Sequence, residues 1–372
     1  MVRVFAIAFT PGWAGTVTRL LERRADVRLV HTAFGDDGTM ALLKSHASDI
    51  VAIEGSTHWE AVRDITQRIM REQPMPVVIL TSVNNAHGVD NAHGIDHCGA
   101  SLDAGALTLI TIPDDRSEEA RTATAEQLAK TLHLMAEVKV VRRWDGSRLE
   151  ALSRAQQELA ASGRHRHAVD VVCIGASAGG TKALQQVFSQ LPASFPLPIL
   201  VVQHISSGYV GGLVRWLGEQ TALHVCVAED GMALESGTIH IAPDERHLTV
   251  DEKHCILLSD DEPVNGFKPS IARLFGSIHH AYGGNAVAVL LSGMGSDGAM
   301  EMRTLHDAGA ITIAQDKDTS LIHGIPGEAI KLAAVTSVLP VQHIGAALFA
   351  IANRWRNSSG PDAVSDITKT DP

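Results

Sequence analysis

The sequence is poor in aromatic residues and carries no excess of positive charge. Phe, Trp and Tyr together make up 4% of the 372 residues, hydrophobic residues make up 45%, and the formal net charge is -11. Proteins that bind nucleic acid need basic surfaces for the phosphates and often aromatic side chains on which bases stack. The composition therefore argues against a nucleic-acid partner and favours aliphatic α/β cores, and the length is sufficient for two domains.

Cysteine is also scarce, and its spacing fits no metal site. The four cysteines, Cys98, Cys173, Cys226 and Cys255, are scattered along the chain, and Cys173 stands within an apolar run. Metal-binding motifs place such residues close together at fixed intervals. We therefore interpret the cysteines as reduced thiols, as expected in a reducing compartment.

Long apolar segments are lacking as well. Residues 1–9 are apolar, but a membrane-spanning helix needs about 20 such residues. The same segment lacks the successive basic, apolar and small-residue regions of a signal peptide. We therefore expect a cytoplasmic protein with no direct membrane insertion.

A serine occupies a sharp turn that follows a short apolar run. Residues 171–174 are apolar, and Gly175-Ala176-Ser177-Ala178-Gly179-Gly180 leads from them into a helical pattern at residues 181–188. Such a strand, turn and helix raise the serine hydroxyl above the carboxyl edge of a sheet, beside the first N–H groups of the helix. A dinucleotide-binding turn and a plain helix cap are the alternatives, but the G-x-G-x-x-G spacing is absent.

Two further apolar runs end in a histidine and in an aspartate. Residues 197–203 run directly into His204, and residues 286–291 lead into a glycine-rich turn that contains Asp297. A structural histidine and an N-capping aspartate are the ordinary alternatives. Because parallel strands place their carboxyl ends at one edge of a sheet, we expect Ser177, His204 and Asp297 to meet there as nucleophile, base and orienting acid.

The order of these residues along the chain differs from that of α/β-hydrolases, in which the histidine comes last. A chain with that order would use His323 as its base and Asp244 or Asp297 as its acid. We keep this arrangement as an alternative.

Several short segments of the carboxyl-terminal half occur together in a characteristic order. They are GASAGGT at 175–181, Gln203-His204, Ile241-Ala242-Pro243 with His247, Lys268-Pro269-Ser270, GMGSDGA at 293–299, IAQD at 313–316 and Gly324-Ile325-Pro326. Over about residues 169–341 the chain thus resembles the chemotaxis protein-glutamate methylesterases, the CheB family. It departs from that family at Ala178, where threonine is usual, and at Lys268, where arginine is usual.

The resemblance implies a hydrolase of carboxylic esters that needs no cofactor or metal. Its substrates would be glutamyl methyl esters on methyl-accepting chemoreceptor-type proteins, with deamidation of receptor glutamines as a second activity. Ser177 would be the nucleophile, His204 the general base and acid, and Asp297 the residue that orients it. The backbone N–H groups of Ala178 and Met294 would form the oxyanion hole, a role that survives the loss of the threonine side chain. A non-catalytic docking scaffold of a sensory array and a serine hydrolase of small esters or amides are the alternatives.

Alternating patterns in the amino-terminal half indicate a five-stranded parallel sheet with helices between its strands. The predicted strands are residues 2–9, 27–32, 50–53, 77–80 and 106–112, and the predicted helices are residues 14–23, 40–46, 59–71 and 120–138. This half resembles the receiver domain of response regulators, which precedes the esterase in the same family.

The predicted fold is therefore α/β throughout. An N-terminal flavodoxin-like receiver fold precedes a C-terminal doubly wound parallel-sheet esterase domain, to which residues 225–258 add antiparallel hairpins. The predicted bounds are 1–138 for the degenerate receiver-like domain, 139–168 for the linker, 169–355 for the catalytic domain and 356–372 for a disordered tail.

The receiver half has lost the residues that phosphorylation requires. Ala8 and Phe9 stand where the acidic pair should hold Mg²⁺, Glu54 stands at the acceptor position, and Ile112 replaces the lysine, while Thr81 keeps the hydroxyl. Without carboxylates a divalent cation lacks its oxygen ligands. We favour a domain retained for docking to sensory-array proteins, with phosphoryl mimicry by Glu54 as the alternative.

A near repeat follows the fourth predicted strand. Residues 85–90 and 91–96 have similar sequences, and His87, His93, His97 and Cys98 could bind Zn²⁺. We favour a loop lengthened by duplication, because the spacing matches no compact metal module.

Overall fold

The computed structural model describes residues 1–55, 58–82, 101–112, 117–138 and 169–356. It divides into two compact units, one made of Met1–Asp145 with Ile205–Trp216 and the other of Gly146–His204 with Leu217–Pro372. The near repeat at 85–96 with His97 and Cys98, the whole predicted linker and nearly all of the predicted tail lie outside the described residues. The predicted domain bounds stay a prediction.

The first unit contains a five-stranded parallel sheet. Its strands are β1 (Val2–Ile7), β2 (Val27–Ala33), β3 (Ile50–Gly55), β4 (Val77–Ser82) and β5 (Thr108–Ile112). They lie in the order β2-β1-β3-β4-β5, and every neighbouring pair is parallel. This is the strand order of flavodoxin-like folds, so the predicted fold of the amino-terminal half is confirmed.

Amphipathic helices cover this sheet. They are α1 (Pro11–Leu21), α2 (Thr39–Ser45), α3 (Trp59–Glu72) and α4 (Glu118–Ala136). In α3, Val62, Ile65 and Ile69 lie three or four residues apart and are buried, as expected for a helix with one apolar face. They share a core with β1, β3 and β4, and β3 is buried along its whole length.

The second unit contains a seven-stranded parallel sheet and a separate two-stranded hairpin. Its strands are β6 (Val171–Ala176), β7 (Ile199–Gln203), β8 (His224–Val227), β9 (Thr238–Ile241), β10 (His247–Val250), β11 (Ile256–Ser259), β12 (Ala286–Leu290), β13 (Ile311–Gln315) and β14 (Ser337–Leu339). The sheet order is β14-β13-β12-β6-β7-β9-β8. The chain runs from β6 to one side of the sheet and later returns to the other, so a topological switch point lies beside β6. Ligands of open α/β sheets bind at such points.

Antiparallel hairpins were predicted for residues 225–258, and this prediction is wrong for the first two strands of the segment, β8 and β9. Only β10 and β11 pair antiparallel, whereas β8 and β9 join the main sheet in parallel. All four residues of β9 are buried because it lies between β7 and β8. Interior strands of parallel sheets are buried on both faces, and such short runs do not reveal which neighbour a strand takes.

The remaining helices are α5 (Gly180–Phe188), α6 (Val210–Gln220), α7 (Ile271–Tyr282), α8 (Ala299–Asp307), α9 (Ile325–Lys331) and α10 (Val341–Arg356). Residues 210–216 of α6 belong to the first unit, whereas the other helices belong to the second unit and pack on its sheet. The buried side chains of α7 follow helical spacing and include Ile271, Leu274, Phe275 and Ile278. Within the described ranges, no helix has the length and apolar character needed to cross a membrane.

Candidate active site

The three predicted catalytic residues follow three neighbouring strands of the seven-stranded sheet. Ser177 follows β6, His204 follows β7, and Asp297 lies in the turn after β12, with β6 in the middle. The register pairs Ala176 with Gln203, and the His204 N–H donates to the Ala176 carbonyl at 2.9 Å. Ser177 and His204 therefore occupy equivalent positions, each directly after the carboxyl end of its strand.

His204 and Asp297 are joined by a buried hydrogen bond. The His204 Nε2 atom lies 3.0 Å from Asp297 Oδ2, and the exposed fractions of the two side chains are 9% and 0%. The second ring nitrogen, Nδ1, is buried and has no hydrogen-bond partner within the described ranges. A neutral imidazole that donates from Nε2 keeps its lone pair on Nδ1. Nδ1 is thus the atom of His204 that can accept a proton.

Asp297 lies at the amino terminus of α7. Its Oδ1 accepts from the Ser270 hydroxyl at 3.0 Å and from the Ala272 N–H at 3.1 Å, and its Oδ2 accepts from the Ile271 N–H at 2.7 Å. Burial alone would raise the pKa of Asp297, but the hydrogen bond and attraction of His204 and these backbone donors outweigh it and lower the pKa. The carboxylate therefore stays ionised beside the imidazole.

Asp297 caps a helix, but not the helix that follows it in the chain. The helix that follows it, α8, has Gly298 at its N-cap, with φ 81° and no side-chain cap. Asp297 instead binds the first N–H groups of α7, a helix that precedes it in the chain. An anion at a helix N-terminus is stabilised by the unpaired N–H groups and the helix dipole.

Ser177 is half-buried and held by its backbone. Its N–H donates to the Ser292 carbonyl at 3.0 Å. A Cβ added to Gly293 would lie 2.8 Å from the Ser177 Cβ, so only glycine lets the turn after β12 pass this close. Within residues 169–356, the Ser177 hydroxyl makes no hydrogen bond to His204. His204 and Asp297 are thus joined by their side chains, whereas a backbone hydrogen bond holds Ser177 next to the turn after β12.

Ser292 ties together the two turns that carry the predicted oxyanion-hole residues. Its hydroxyl is fully buried, donates to the Ala178 carbonyl at 2.8 Å and accepts from the Ile322 N–H at 3.0 Å. Ala178 follows Ser177, and Met294 lies two residues after Ser292, so one side chain links both segments. Sequence reasoning assigned Ser292 no role, although a serine at the end of a buried apolar run was a visible signal.

Phe267 stacks on His204. The ring centroids are 4.1 Å apart and the ring planes differ by 5°. Asn265 and Gly266 have positive φ values of 53° and 83°, and Val264 and Phe267 exchange backbone hydrogen bonds of 3.0 Å. Asn-Gly is a strong signal for a tight hairpin turn with positive φ at both positions. The sequence analysis did not use that signal, and so missed this aromatic neighbour of His204.

The alternative base His323 has a different partner. Its Nε2 lies 3.2 Å from the backbone carbonyl of Gln315. A histidine base needs an acid on one ring nitrogen. Asp297, one of the two acids considered for it, is bound to His204 instead. The hydroxyl, imidazole and carboxylate at this sheet edge therefore have the order serine, histidine, aspartate.

Glu54 is embedded in the first unit. Its exposed fraction is 2%, its Oε2 accepts from the N–H groups of Phe9 and Thr10, the latter at 2.8 Å, and its Oε1 accepts from the Thr10 hydroxyl at 2.7 Å. Thr10 is also the N-cap of α1. Ala8, in the place of a metal-binding carboxylate, is buried. The carboxylate of Glu54 therefore stabilises the loop between β1 and α1 through hydrogen bonds.

Comparison with known proteins gives consistent matches. The family model described as CheB methylesterase matches residues 172–348. A protein-glutamate methylesterase/protein-glutamine glutaminase of Nitrosospira multiformis is 38% identical over 94% of this chain and 96% of its own length. A similarly named protein of Syntrophus aciditrophicus is 35% identical over 95% of this chain and 99% of its own length. The solved catalytic domain of Thermotoga maritima CheB methylesterase is 31% identical and covers 50% of this chain and 100% of that domain, with a TM-score of 0.49.

Proposed function

Because the chain belongs to the CheB family of protein-glutamate methylesterase/protein-glutamine glutaminase enzymes, we propose that it hydrolyses glutamyl methyl esters on methyl-accepting chemoreceptor-type proteins. The same chemistry would deamidate receptor glutamines, since an amide differs from the ester only in its leaving group. The observation that carries the proposal is the His204–Asp297 hydrogen bond, which leaves Nδ1 of the imidazole without a partner among the described residues, beside the Ser177 turn.

The reaction begins with proton transfer from the Ser177 hydroxyl to Nδ1 of His204. The oxygen of Ser177 attacks the ester carbonyl, and the imidazolium that forms is stabilised by Asp297. Asp297 is suited to this role because its lowered pKa keeps it ionised. It also fixes the tautomer of the neutral imidazole, which must donate from Nε2 and accept at Nδ1.

Charge develops on the carbonyl oxygen as the bond to Ser177 forms. The backbone N–H groups of Ala178 and Met294 would donate to that oxygen. Collapse of the intermediate releases methanol, which takes its proton from His204, and leaves an acyl group on Ser177. A water molecule, activated by the same imidazole, then hydrolyses the acyl-enzyme to glutamate. Preorganised donors of this kind lower the barrier because they need no rearrangement during the reaction.

Substitution of the nucleophile tests the proposal. Ser177→Ala should lower methanol release from a methylated chemoreceptor by about 10⁴-fold or more, because the attacking oxygen is lost. Ser189→Ala removes an exposed hydroxyl at the end of α5 and is the matched control. Its rate should stay within about twofold of the unaltered protein, as for most surface changes.

Two outcomes would contradict this assignment. Methanol release by Ser177→Ala within about tenfold of the unaltered protein would exclude a serine nucleophile, given the size of such losses. Equal turnover of a generic small ester and of the methylated receptor would favour the alternative of a small-ester hydrolase.

Control of the enzyme would not use phosphorylation of the first unit. Glu54 is buried, and both of its oxygens already accept hydrogen bonds from Phe9 and Thr10. Phosphoryl transfer to a receiver needs an accessible carboxylate oxygen and carboxylates that hold Mg²⁺, and Ala8 and Phe9 supply none. Sensory-array proteins that dock on the first unit are the proposed partners in regulation.

A further inference from the structure

Two peptide groups carry the proposed oxyanion donors, and each has its carbonyl held by two hydrogen bonds. In a trans peptide the C=O and N–H groups point in opposite directions. The partners of the Ser177 carbonyl therefore set the direction of the Ala178 N–H. This carbonyl accepts from the Gly180 N–H at 2.8 Å and from Gln203 Nε2 at 2.8 Å.

The second peptide is held in the same way. The Gly293 carbonyl accepts from the N–H of Gly324 at 3.0 Å and from the N–H of Ile325 at 2.9 Å. The Met294 N–H points away from these donors. All of the partners here are backbone groups. Among the residues that the structure describes, the side chain of Gln203 is therefore the one anchor of the two peptides that substitution can remove without changing the main chain.

The chemistry of Gln203 suits this task. Its Nε2 donates to the carbonyls of Ser177 and His204, both at 2.8 Å, so both amide hydrogens are used. An amide oxygen in that place would face two carbonyl oxygens and be repelled, which fixes the orientation of the amide. The Oε1 atom is buried without a hydrogen-bond partner in the described part of the chain and packs on Gly180, where a Cβ would collide with it.

We propose that Gln203 is a positioning residue of the oxyanion hole. Its amide fixes the Ser177–Ala178 peptide so that the Ala178 N–H points at the developing oxyanion, and it ties that peptide to the backbone of His204. The inference rests on the proposed function. Hydrogen bonds to a peptide carbonyl also polarise the peptide and strengthen its N–H as a donor.

Removal of the amide donors should affect the chemical step and leave substrate binding largely intact. Loss of a direct oxyanion donor costs about 10²- to 10³-fold in kcat, and a loosened donor should cost less. We expect kcat for methanol release to fall about 10- to 100-fold in Gln203→Met, with KM changed by less than about threefold. The His204–Asp297 bond is untouched, so the acid limb of the pH–rate profile should keep its position.

The experiment measures kcat, KM and the pH–rate profile for methanol release from a methylated chemoreceptor by the full chain. Gln203→Met removes both donors at similar length. Gln203→Glu keeps the shape of the side chain and, when ionised, supplies only acceptors, so it tests the same bonds if the first variant folds poorly. Thr312→Val is the matched control, because it removes a fully buried hydroxyl that binds Thr336, near the opposite end of the sheet.

The outcomes separate this inference from the proposed function. A loss of kcat in both Gln203 variants, with KM and the acid limb unchanged and with Thr312→Val within about twofold of the unaltered protein, supports the inference. Unaltered kcat in either folded Gln203 variant, or an equal loss in Thr312→Val, would overturn the inference alone. Absence of methanol release by the unaltered protein would overturn the proposed function and the inference with it.

Discussion

At the scale of single residues, one buried carboxylate connects several groups of the candidate site. Asp297 accepts hydrogen bonds from His204, from the Ser270 hydroxyl and from the N–H groups of Ile271 and Ala272. Ser270 is in turn held by His247, whose Nδ1 accepts its N–H at 3.2 Å. These hydrogen bonds hold the carboxylate of Asp297 in place before any substrate binds. They favour its ionised form and the tautomer of His204 that donates from Nε2.

The lowered pKa of Asp297 predicts a pH-dependent contribution to stability. A carboxylate with a lowered pKa stabilises the folded chain above the pKa of the unfolded chain, about 3.9, and this stability is lost as the pH falls through the lower value of the folded chain. Asp297→Asn should therefore lower Tm at pH 7, and the difference from the unaltered protein should shrink below about pH 5.

Calorimetric Tm values across this pH range test the prediction. Asp307→Asn is the control, since Asp307 also has a lowered pKa, caused chiefly by its hydrogen bond with Arg303, but is exposed. Exposed ion pairs contribute little to stability, so this variant should change Tm only slightly at every pH. A Tm difference for Asp297→Asn that stays constant down to pH 3 would show that the carboxylate is not preferentially ionised in the folded state.

At the scale of strands and helices, apolar runs that end in a polar residue were enough to predict that Ser177, His204 and Asp297 follow strands that lie side by side. The apolar runs before these three residues form β6, β7 and β12, and these strands are adjacent in the sheet. The physical reason is simple. A fully apolar run of strand length must be buried on both faces, and the carboxyl ends of parallel neighbours meet at one edge.

Other features of the site could not be predicted because they depend on contacts between distant elements. The amino terminus of α7 meets Asp297 across 26 residues of sequence. Nothing in the local pattern of residues 268–272 indicates which carboxylate that helix terminus will bind. The parallel placement of β8 and β9 was missed for the same reason, since pairing partners are chosen by the sheet as a whole. Position 180 likewise has room only for glycine, because a Cβ there would collide with the side chains of Gln203 and Ala176.

At the scale of the whole molecule, the family resemblance drawn from short motifs is confirmed by relatives that match most of the chain. The chain therefore belongs to the esterase family, and its amino-terminal half has the flavodoxin-like strand order. The core of that half includes residues of β1, β3, β4 and α3, so the fold does not depend on the residues that phosphorylation requires. The bonds of Glu54 to the loop after β1 help to hold the same fold.

Phosphodonors should therefore have no effect on this protein. Acetyl phosphate, or beryllium fluoride with Mg²⁺, should neither modify Glu54 nor change the rate of methanol release, because Glu54 is 2% exposed and its oxygens are engaged by Phe9 and Thr10. Radiolabelled phosphodonor and the esterase rate, each with and without Mg²⁺, measure this directly. A base-labile label on Glu54, or activation that requires Mg²⁺, would show that the receiver is still phosphorylated.

The central claim is that Ser177 is the nucleophile of a protein-glutamate methylesterase, and covalent labelling tests it most directly. A fluorophosphonate reacts with serines that an adjacent base activates. The fraction of Ser177 labelled, measured by mass spectrometry, is compared with the methanol release that remains from a methylated chemoreceptor. The account predicts that the label lies on Ser177 and that activity falls in proportion to it, reaching zero at full labelling. Full methanol release from protein labelled at Ser177, or inactivation by a label on another residue, would contradict it.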